Sequence, residues 1–81
     1  MMPFKFQGLD VYVEPAIPKL QLSPSFDGCT DRFRAEVNAW LLAEFGFRES
    51  TIPKGQVMLS QEHGFMVVRC DNMEILKHAS I

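Results

Sequence analysis

The sequence has few cysteines, no long apolar run and no concentration of charge of either sign. Its 81 residues include two cysteines, eight basic and ten acidic side chains, for a formal net charge of −2. A nucleic-acid-binding protein needs a concentrated basic face to displace counterions from phosphates, and here the two signs are mixed along the chain. No stretch approaches the roughly 18 apolar residues that span a bilayer. We therefore expect neither nucleic acid nor a membrane as a partner.

The cysteine and histidine content offers little material for a metal or catalytic centre. Cys29, His63, Cys70 and His78 are far apart in the sequence, whereas structural zinc sites usually draw their ligands in close pairs from tight turns. Cys70 ends an apolar segment, and free cysteine is often buried, so we interpret it as an inert thiol. No phosphate-binding loop, nucleophile elbow or metalloprotease motif is present. The sequence predicts no catalytic residue, no metal, no cofactor and no enzyme activity.

Length and composition predict one domain, residues 1–81. Domains are rarely smaller than about 50 residues, because each must close its own core. The hydrophobic fraction of 47%, with seven Phe and one Trp, is typical of a globular protein. Residues 1–8 lack the continuous apolar stretch of a secretory leader. We therefore expect a soluble protein in a reducing, cytoplasmic compartment.

Alternating apolar and polar residues predict a small sheet. Residues 9–14 alternate as a half-buried strand does. Residues 56–60 and 65–70 are two further strand-like segments, and their spacing predicts a hairpin. The unbroken apolar run over residues 65–68 predicts a central strand covered on both faces. We expect an antiparallel sheet made of the N-terminal strand and the C-terminal hairpin.

One main helix is predicted to pack across that sheet, which makes the fold class α+β. Thr30 suits the first cap of a helix over residues 31–45, and Gly46 suits the left-handed position after its end. The apolar residues of this segment fall on one arc at about 100° per residue: Phe33, Val37, Trp40, Leu41 and Phe45. We expect this arc to form the core with the sheet.

A short C-terminal helix is predicted over residues 72–78. Asp71 stands three residues before Glu74, the spacing of a capping box in which Asp71 is the N-cap. Met73 and Leu76 are then expected to pack inward. This helix should cover an edge or an end of the sheet.

The main helix carries a second, shallower apolar stripe on its opposite side. Ala35, Ala39 and Leu42 stand at positions i, i+4 and i+7. Because alanine is the best helix former, one interpretation is an ordinary solvent-facing surface. The other is a contact surface for a partner or a second copy. Our protein-binding candidates are these three residues with Glu62 and His63 at the hairpin tip.

Several short segments resemble a known family. These are PKLQLS at 18–23, FRAEVNAW at 33–40, FG at 45–46 and IPKGQV at 52–57. Together they are similar to a family of very short, uncharacterised proteins encoded by tailed bacteriophages. The resemblance implies a phage protein that acts inside the infected bacterium, and it implies no activity or functional residue.

The functional prediction combines this resemblance with the missing catalytic motifs. Small accessory phage proteins often bind a host or phage protein and redirect it, as defence inhibitors do. We predict an accessory protein in the host cytoplasm that binds and modulates a host or phage protein. The alternative is a self-associating structural or assembly component of a phage particle, in which the same helix stripe forms a homodimer.

Overall fold

A computed structural model describes residues 3–19, 30–60 and 64–79, and it confirms the α+β class. The elements in chain order are β1 (Phe4–Phe6), β2 (Leu9–Pro15), α1 (Asp31–Phe45), β3 (Val57–Ser60), β4 (Phe65–Cys70) and α2 (Met73–Ala79). The four strands form one sheet in the order β1-β2-β4-β3. The N-terminal strand, the C-terminal hairpin, the main helix and the short last helix are thus all present as predicted.

The expectation of a purely antiparallel sheet needs one correction. The pairs β1–β2 and β3–β4 are antiparallel, but the two central strands, β2 and β4, run parallel. Parallel neighbours need a long crossover connection, and residues 16–64 provide it because they include α1 and β3. The periodicity of a strand does not encode its direction, so the pattern of residues 9–14 could not distinguish the two arrangements.

Two aromatic contacts fix the direction of α1. Phe33, near its start, packs edge-on against Phe6, and Phe45, at its end, packs against Phe4. Because β1 runs from Phe4 to Phe6, α1 runs opposite to β1 and in the same sense as β2. The helix therefore returns the chain to the end of the sheet at which β2 finishes.

β1 is a strand that the predicted sheet did not include. It joins β2 through a two-residue turn in which both Gln7 (φ 50°) and Gly8 (φ 81°) have positive φ. This is the combination that a tight hairpin turn requires, and glycine adopts it without a steric penalty. The register places Phe4 opposite Val11 and Phe6 opposite Leu9, so the described pairing with β1 spans residues 9–11 of β2.

The hydrophobic core lies between the sheet and the two helices. Alternate strand residues point to the helix side and pack against α1 and α2. The buried cluster includes residues of the strands, of both helices and of the loop before β3: Phe6, Val11, Val13, Val37, Leu41, Ile52, Val57, Met66, Val68, Cys70, Ile75 and Ala79. Trp40 is partly buried and packs against this cluster, with its ring 4.9 Å from that of Phe6. The predicted core arc of α1 is therefore confirmed.

β4 is central in the sheet, as predicted, but its two faces are not equally covered. Met66, Val68 and Cys70 point to the helices and are buried, whereas Phe65 and Val67 on the other face are only partly buried. Among the described elements, both helices contribute to the single core on one side of the sheet. The expectation that β4 is covered on both faces is corrected accordingly.

The boundaries of α1 follow from its capping residues. The Thr30 hydroxyl oxygen accepts a hydrogen bond from the Phe33 N–H at 3.1 Å. Gly46 has φ 68° and donates its N–H to the Leu42 carbonyl at 2.9 Å. These contacts satisfy backbone groups that a helix end leaves without intrahelical partners, and they confirm the predicted helix over residues 31–45.

The cap of α2 differs from the predicted one by a residue. The side-chain oxygen of Asn72 accepts hydrogen bonds from the N–H groups of Glu74 (3.0 Å) and Ile75 (3.3 Å), so Asn72 is the N-cap. Asp71 instead donates its backbone N–H to the Thr51 carbonyl at 3.2 Å. Both residue types are good caps, and the backbone contact of Asp71 with the loop before β3 decides between them.

The buried face of α2 also differs from the expected one. Ile75 and Ala79, at positions i and i+4, are buried, and Leu76 packs against the core as expected. Met73, predicted to point inward, is 64% exposed. Met73 precedes Ile75 by two residues, which is a rotation of about 200° around the helix axis. Burying Ile75 therefore directs Met73 outward.

Candidate protein-binding site

The structure places the predicted helix stripe on the outer side of α1. Ala35 and Ala39 are exposed, and Leu42 is partly buried. Glu62 and His63, the other two candidates, lie outside the described residues. The stripe therefore offers two exposed methyl groups and part of one leucine, which is a small apolar area for a contact surface.

A larger apolar concavity lies between the end of β2 and α2. Its volume is about 430 Å³, within the range of roughly 300 to 1,000 Å³ that is typical of ligand sites. We call it the β2–α2 groove, and its lining residues are Val13, Glu14, Pro15, Met73, Leu76, Lys77 and Ala79. The lining residues come from β2 and α2, which pack directly on each other.

Met73 is the most exposed large apolar side chain in the described part of the chain. Ile17, 44% exposed, is the other one with a large exposed fraction, and it does not line the groove. Methionine is flexible and polarisable, so it adapts to irregular partner surfaces. Sequence reasoning missed this residue because it paired Met73 with Leu76 as the inward face. The i, i+4 pair of Ile75 and Ala79 was the signal that could have found it.

Charged groups at the groove have partners of opposite charge. The Lys77 ammonium lies 3.5 Å from a carboxylate oxygen of Glu74. The Glu14 carboxylate lies 3.1 Å from the Arg69 guanidinium on the other side of the sheet. Since exposed ion pairs contribute little stability, the Lys77–Glu74 pair can separate at low cost when a partner approaches. The chemistry of the groove is thus mainly apolar contact.

The outer edge of β2 borders this groove. β1 pairs with residues 9–11, and no described strand pairs with residues 12–15 on that side. The N–H of Ala16 donates to the Cys70 carbonyl of β4. Successive residues of a strand direct their backbone N–H and C=O groups to opposite sides. Val13 is three residues from Ala16, an odd number, so its N–H and C=O groups point away from β4.

The opposite face of the sheet has a mixed character. Tyr12 and Phe65 meet edge to face, with ring centroids 5.7 Å apart. The Arg69 guanidinium bonds Glu14 and also lies 3.1 Å from the Met58 sulfur. Its Nε atom is buried and has no hydrogen-bond partner among the described residues. This face combines an aromatic contact with paired charge.

The thiol of Cys70 is buried and held by the backbone. It donates to the Thr51 carbonyl at 3.3 Å and accepts from the Asn72 N–H at 3.4 Å. Burial raises the pKa of this thiol above its ordinary value of 9.0, although the hydrogen bond accepted from the Asn72 N–H acts in the opposite direction. A thiolate is the reactive form of cysteine, so this environment favours the inert thiol predicted from the sequence.

Possible metal ligands do not cluster in the described ranges. No group of three or more His, Cys, Asp or Glu side chains is placed to hold a metal ion there. The His78 ring instead packs at an angle against two aromatic rings, with centroids 5.5 Å from that of Phe45 and 5.4 Å from that of Phe47. This ring joins the end of α2 to the end of α1.

Comparisons with protein-family models, with curated proteins and with solved structures gave no match. The resemblance to short tailed-phage proteins therefore stays a prediction from the sequence. Neither α1 nor α2, the two helices of the described residues, has the length and apolar character needed to cross a membrane.

Proposed function

We propose that this chain is a small accessory protein that binds a larger protein through the β2–α2 groove. The observation that carries the proposal is the 64% exposure of Met73 beside an apolar concavity. A large apolar side chain that stays exposed does not contribute the free energy of burial to folding. Contiguous exposed apolar surface often marks an interaction site. The occupant we propose is a protein segment that presents apolar side chains to Met73 and Leu76.

The proposed origin and location rest on the sequence resemblance. They are a tailed phage as the source and the cytoplasm of the infected bacterium as the place of action. The proposed consequence of binding is modulation of a host or phage protein, for example inhibition of a defence factor. The groove supports binding in general, and the identity of the partner is a question for experiment.

Affinity capture with matched variants tests this proposal. The bait is the purified chain, incubated with lysate of phage-infected bacteria, in three forms: wild type, Met73→Glu and Ala39→Glu. Both substitutions introduce one carboxylate at an exposed helix position, and glutamate is a good helix former. We expect one protein to be enriched by wild type and by Ala39→Glu, and lost with Met73→Glu.

The same variants separate the rival surfaces. Loss of the captured protein with Ala39→Glu alone would assign binding to the α1 stripe and contradict the groove. Equal capture by all three forms would contradict both surfaces. Circular dichroism of each variant confirms that the fold is retained before the comparison is made.

Self-association through the α1 stripe (Ala35, Ala39 and Leu42) is the second candidate function, and the exposure of Ala35 and Ala39 is compatible with it. Sedimentation of the purified chain over a wide concentration range distinguishes the two. A monomer at every concentration removes the self-assembly candidate.

A further inference from the structure

We infer that Met73 is an oxidation site, and that its conversion to methionine sulfoxide prevents the partner from binding to the β2–α2 groove. This inference rests on the proposed function and adds regulation of that same groove by a two-electron oxidant of the peroxide class. It has two parts, selective oxidation of Met73 and loss of binding, and each part is measured separately.

The reaction transfers one oxygen atom to the Met73 sulfur. A sulfur lone pair attacks one oxygen of hydrogen peroxide, so that an S–O bond forms and the O–O bond breaks. The proton on the transferred oxygen moves to the departing hydroxide, which becomes water. The sulfur is thus oxidised by two electrons and the peroxide is reduced. Methionine sulfoxide reductases return the thioether, so the modification is reversible.

The described ranges contain three methionines, and their surroundings differ. Met73 is 64% exposed, whereas Met66 is completely buried in the core. Met58 is partly buried, and its sulfur accepts a hydrogen bond from the Arg69 guanidinium, with 3.1 Å between the nitrogen and sulfur atoms. Because the oxidant must reach the sulfur and one of its lone pairs, Met73 is the methionine of these three that reacts first.

The packing of α2 does not depend on the Met73 side chain. Ile75 and Ala79 are buried in the core, and Leu76 packs against it. The side-chain oxygen of Asn72 caps the first turn. Methionine sulfoxide is polar and disrupts a core when it forms inside one, but at position 73 the side chain projects into water. Oxidation therefore leaves the fold intact and changes the surface of the groove.

In the groove, the sulfoxide adds a polar S–O group to an apolar surface. Val13, Pro15 and Leu76 line the groove together with Met73. The proposed partner segment presents apolar side chains there, so it would cover the new oxygen without offering a hydrogen-bond donor. Burying a polar acceptor that has no donor is costly. The oxidised chain therefore binds this partner more weakly than the reduced chain.

Peptide mapping by mass spectrometry tests the selectivity on the full-length chain. The purified chain is exposed to hydrogen peroxide for increasing times, and the sulfoxide fraction is measured at every methionine, including Met1 and Met2, which lie outside the described residues. We expect Met73 sulfoxide to form at least about tenfold faster than Met66 sulfoxide, and also faster than Met58 sulfoxide. In denaturant the three rates should become equal, because the fold sets the difference.

Two results would overturn the oxidation site. One is an equal rate of oxidation at Met73 and Met66 in the folded chain. The other is loss of the helical circular dichroism signal in step with Met73 oxidation, since that would show that this side chain supports the fold.

A second measurement tests the loss of binding. A partly oxidised preparation of the chain is incubated with lysate of phage-infected bacteria, and size-exclusion chromatography separates the chain in complex from the free chain. The sulfoxide fraction at each methionine is then compared between the two pools. We expect Met73 sulfoxide to be depleted about tenfold in the complex, because the sulfoxide loses about the free energy of one unsatisfied polar group. Met58 sulfoxide, on the opposite face of the sheet, is the internal control and should be distributed equally.

The outcomes distinguish this inference from the proposed function. Equal Met73 sulfoxide in the complex and in the free chain would overturn the regulation and leave the groove as the proposed binding site. If the reduced chain forms no complex with any protein of the lysate, the proposed function fails and the regulation fails with it. Treating the free pool with a methionine sulfoxide reductase should restore complex formation, and no recovery would contradict a reversible effect.

Discussion

The side-chain amide of Gln56 bonds both backbone polar groups of Ile17. Its Nε2 donates to the Ile17 carbonyl at 2.9 Å, and its Oε1 accepts from the Ile17 N–H at 3.4 Å. Gln56 itself is 4% exposed. A buried polar side chain thus ties the segment that follows β2 to the residue that precedes β3, in the manner of a short strand ladder.

Replacing this amide should destabilise the fold. For Gln56→Leu we expect the free energy of unfolding to fall by about 1 to 3 kcal/mol, since two hydrogen bonds are lost and the Ile17 backbone groups keep their need for partners. Gln56→Glu keeps the acceptor for the Ile17 N–H but places a carboxylate against the Ile17 carbonyl, so it should also be less stable than wild type. Urea unfolding followed by tryptophan fluorescence measures both, and wild-type stability in Gln56→Leu would show that the pair contributes nothing.

The orientation of α2 gives a second prediction. Ile75→Ala should lower the free energy of unfolding by about 2 to 5 kcal/mol, because it leaves a cavity in the core. Met73→Ala should change it by no more than about 0.5 kcal/mol, because this side chain projects into water. Thermal unfolding of the two variants compares them directly. A larger loss for Met73→Ala would mean that α2 is rotated relative to the described structure.

The cap of α2 gives a third prediction. Asn72→Ala should cost about 1 kcal/mol, since the Glu74 and Ile75 N–H groups lose their acceptor. Asn72→Asp retains a capping oxygen but loses the hydrogen bond that the Asn72 amide donates to the Glu49 carbonyl, so it should recover only part of that stability. The matched control is Asp71→Ala, which should have a smaller effect because the contact of Asp71 with Thr51 uses only backbone atoms. The reverse ranking in denaturant unfolding would restore Asp71 as the cap.

The buried Cys70 thiol gives a prediction on pH. Burial raises its pKa in the folded chain above the ordinary value of 9.0, so the folded state holds this proton more tightly than the unfolded state. The resulting stability is complete below the unfolded pKa and is lost as pH rises through the folded pKa. We therefore expect the stability difference between wild type and Cys70→Ala to shrink above pH 9.0. Comparing the two chains cancels the titration of other groups, and a difference that stays constant through this range would contradict the assignment.

The sequence predicted those parts of the fold whose signals are local. Thr30 and Gly46 mark the ends of α1 through their own hydrogen bonds, and the α1 apolar arc around Trp40 follows from helical periodicity. The parallel pairing of β2 with β4 is set by the course of the connecting segments. The alternation of residues 9–14 is the same in a parallel and in an antiparallel strand, so it does not indicate the direction. Phe4 and Phe6 do alternate as strand residues would, but β1 was left out of the predicted sheet because three residues are too few to establish a strand from periodicity.

The candidate site was harder to predict than the fold. A groove exists only where two distant segments meet, here residues 13–15 and 73–79, and neither segment reveals its neighbour. The exposure of Met73 depends on which face of a seven-residue helix is buried, and a helix of two turns has several plausible apolar pairs. The α1 stripe was predictable from spacing because Ala35 and Ala39 belong to one continuous helix.

Site-specific photo-crosslinking in infected cells tests whether the β2–α2 groove is the surface that binds a partner protein. A photoreactive amino acid is placed at position 73 in one form of the chain and at position 39 in the other, and covalent adducts are identified by mass spectrometry. We predict that position 73 crosslinks to one defined host or phage protein and that position 39 does not. A defined adduct from position 39, with none from position 73, would contradict the assignment of the β2–α2 groove as the binding surface.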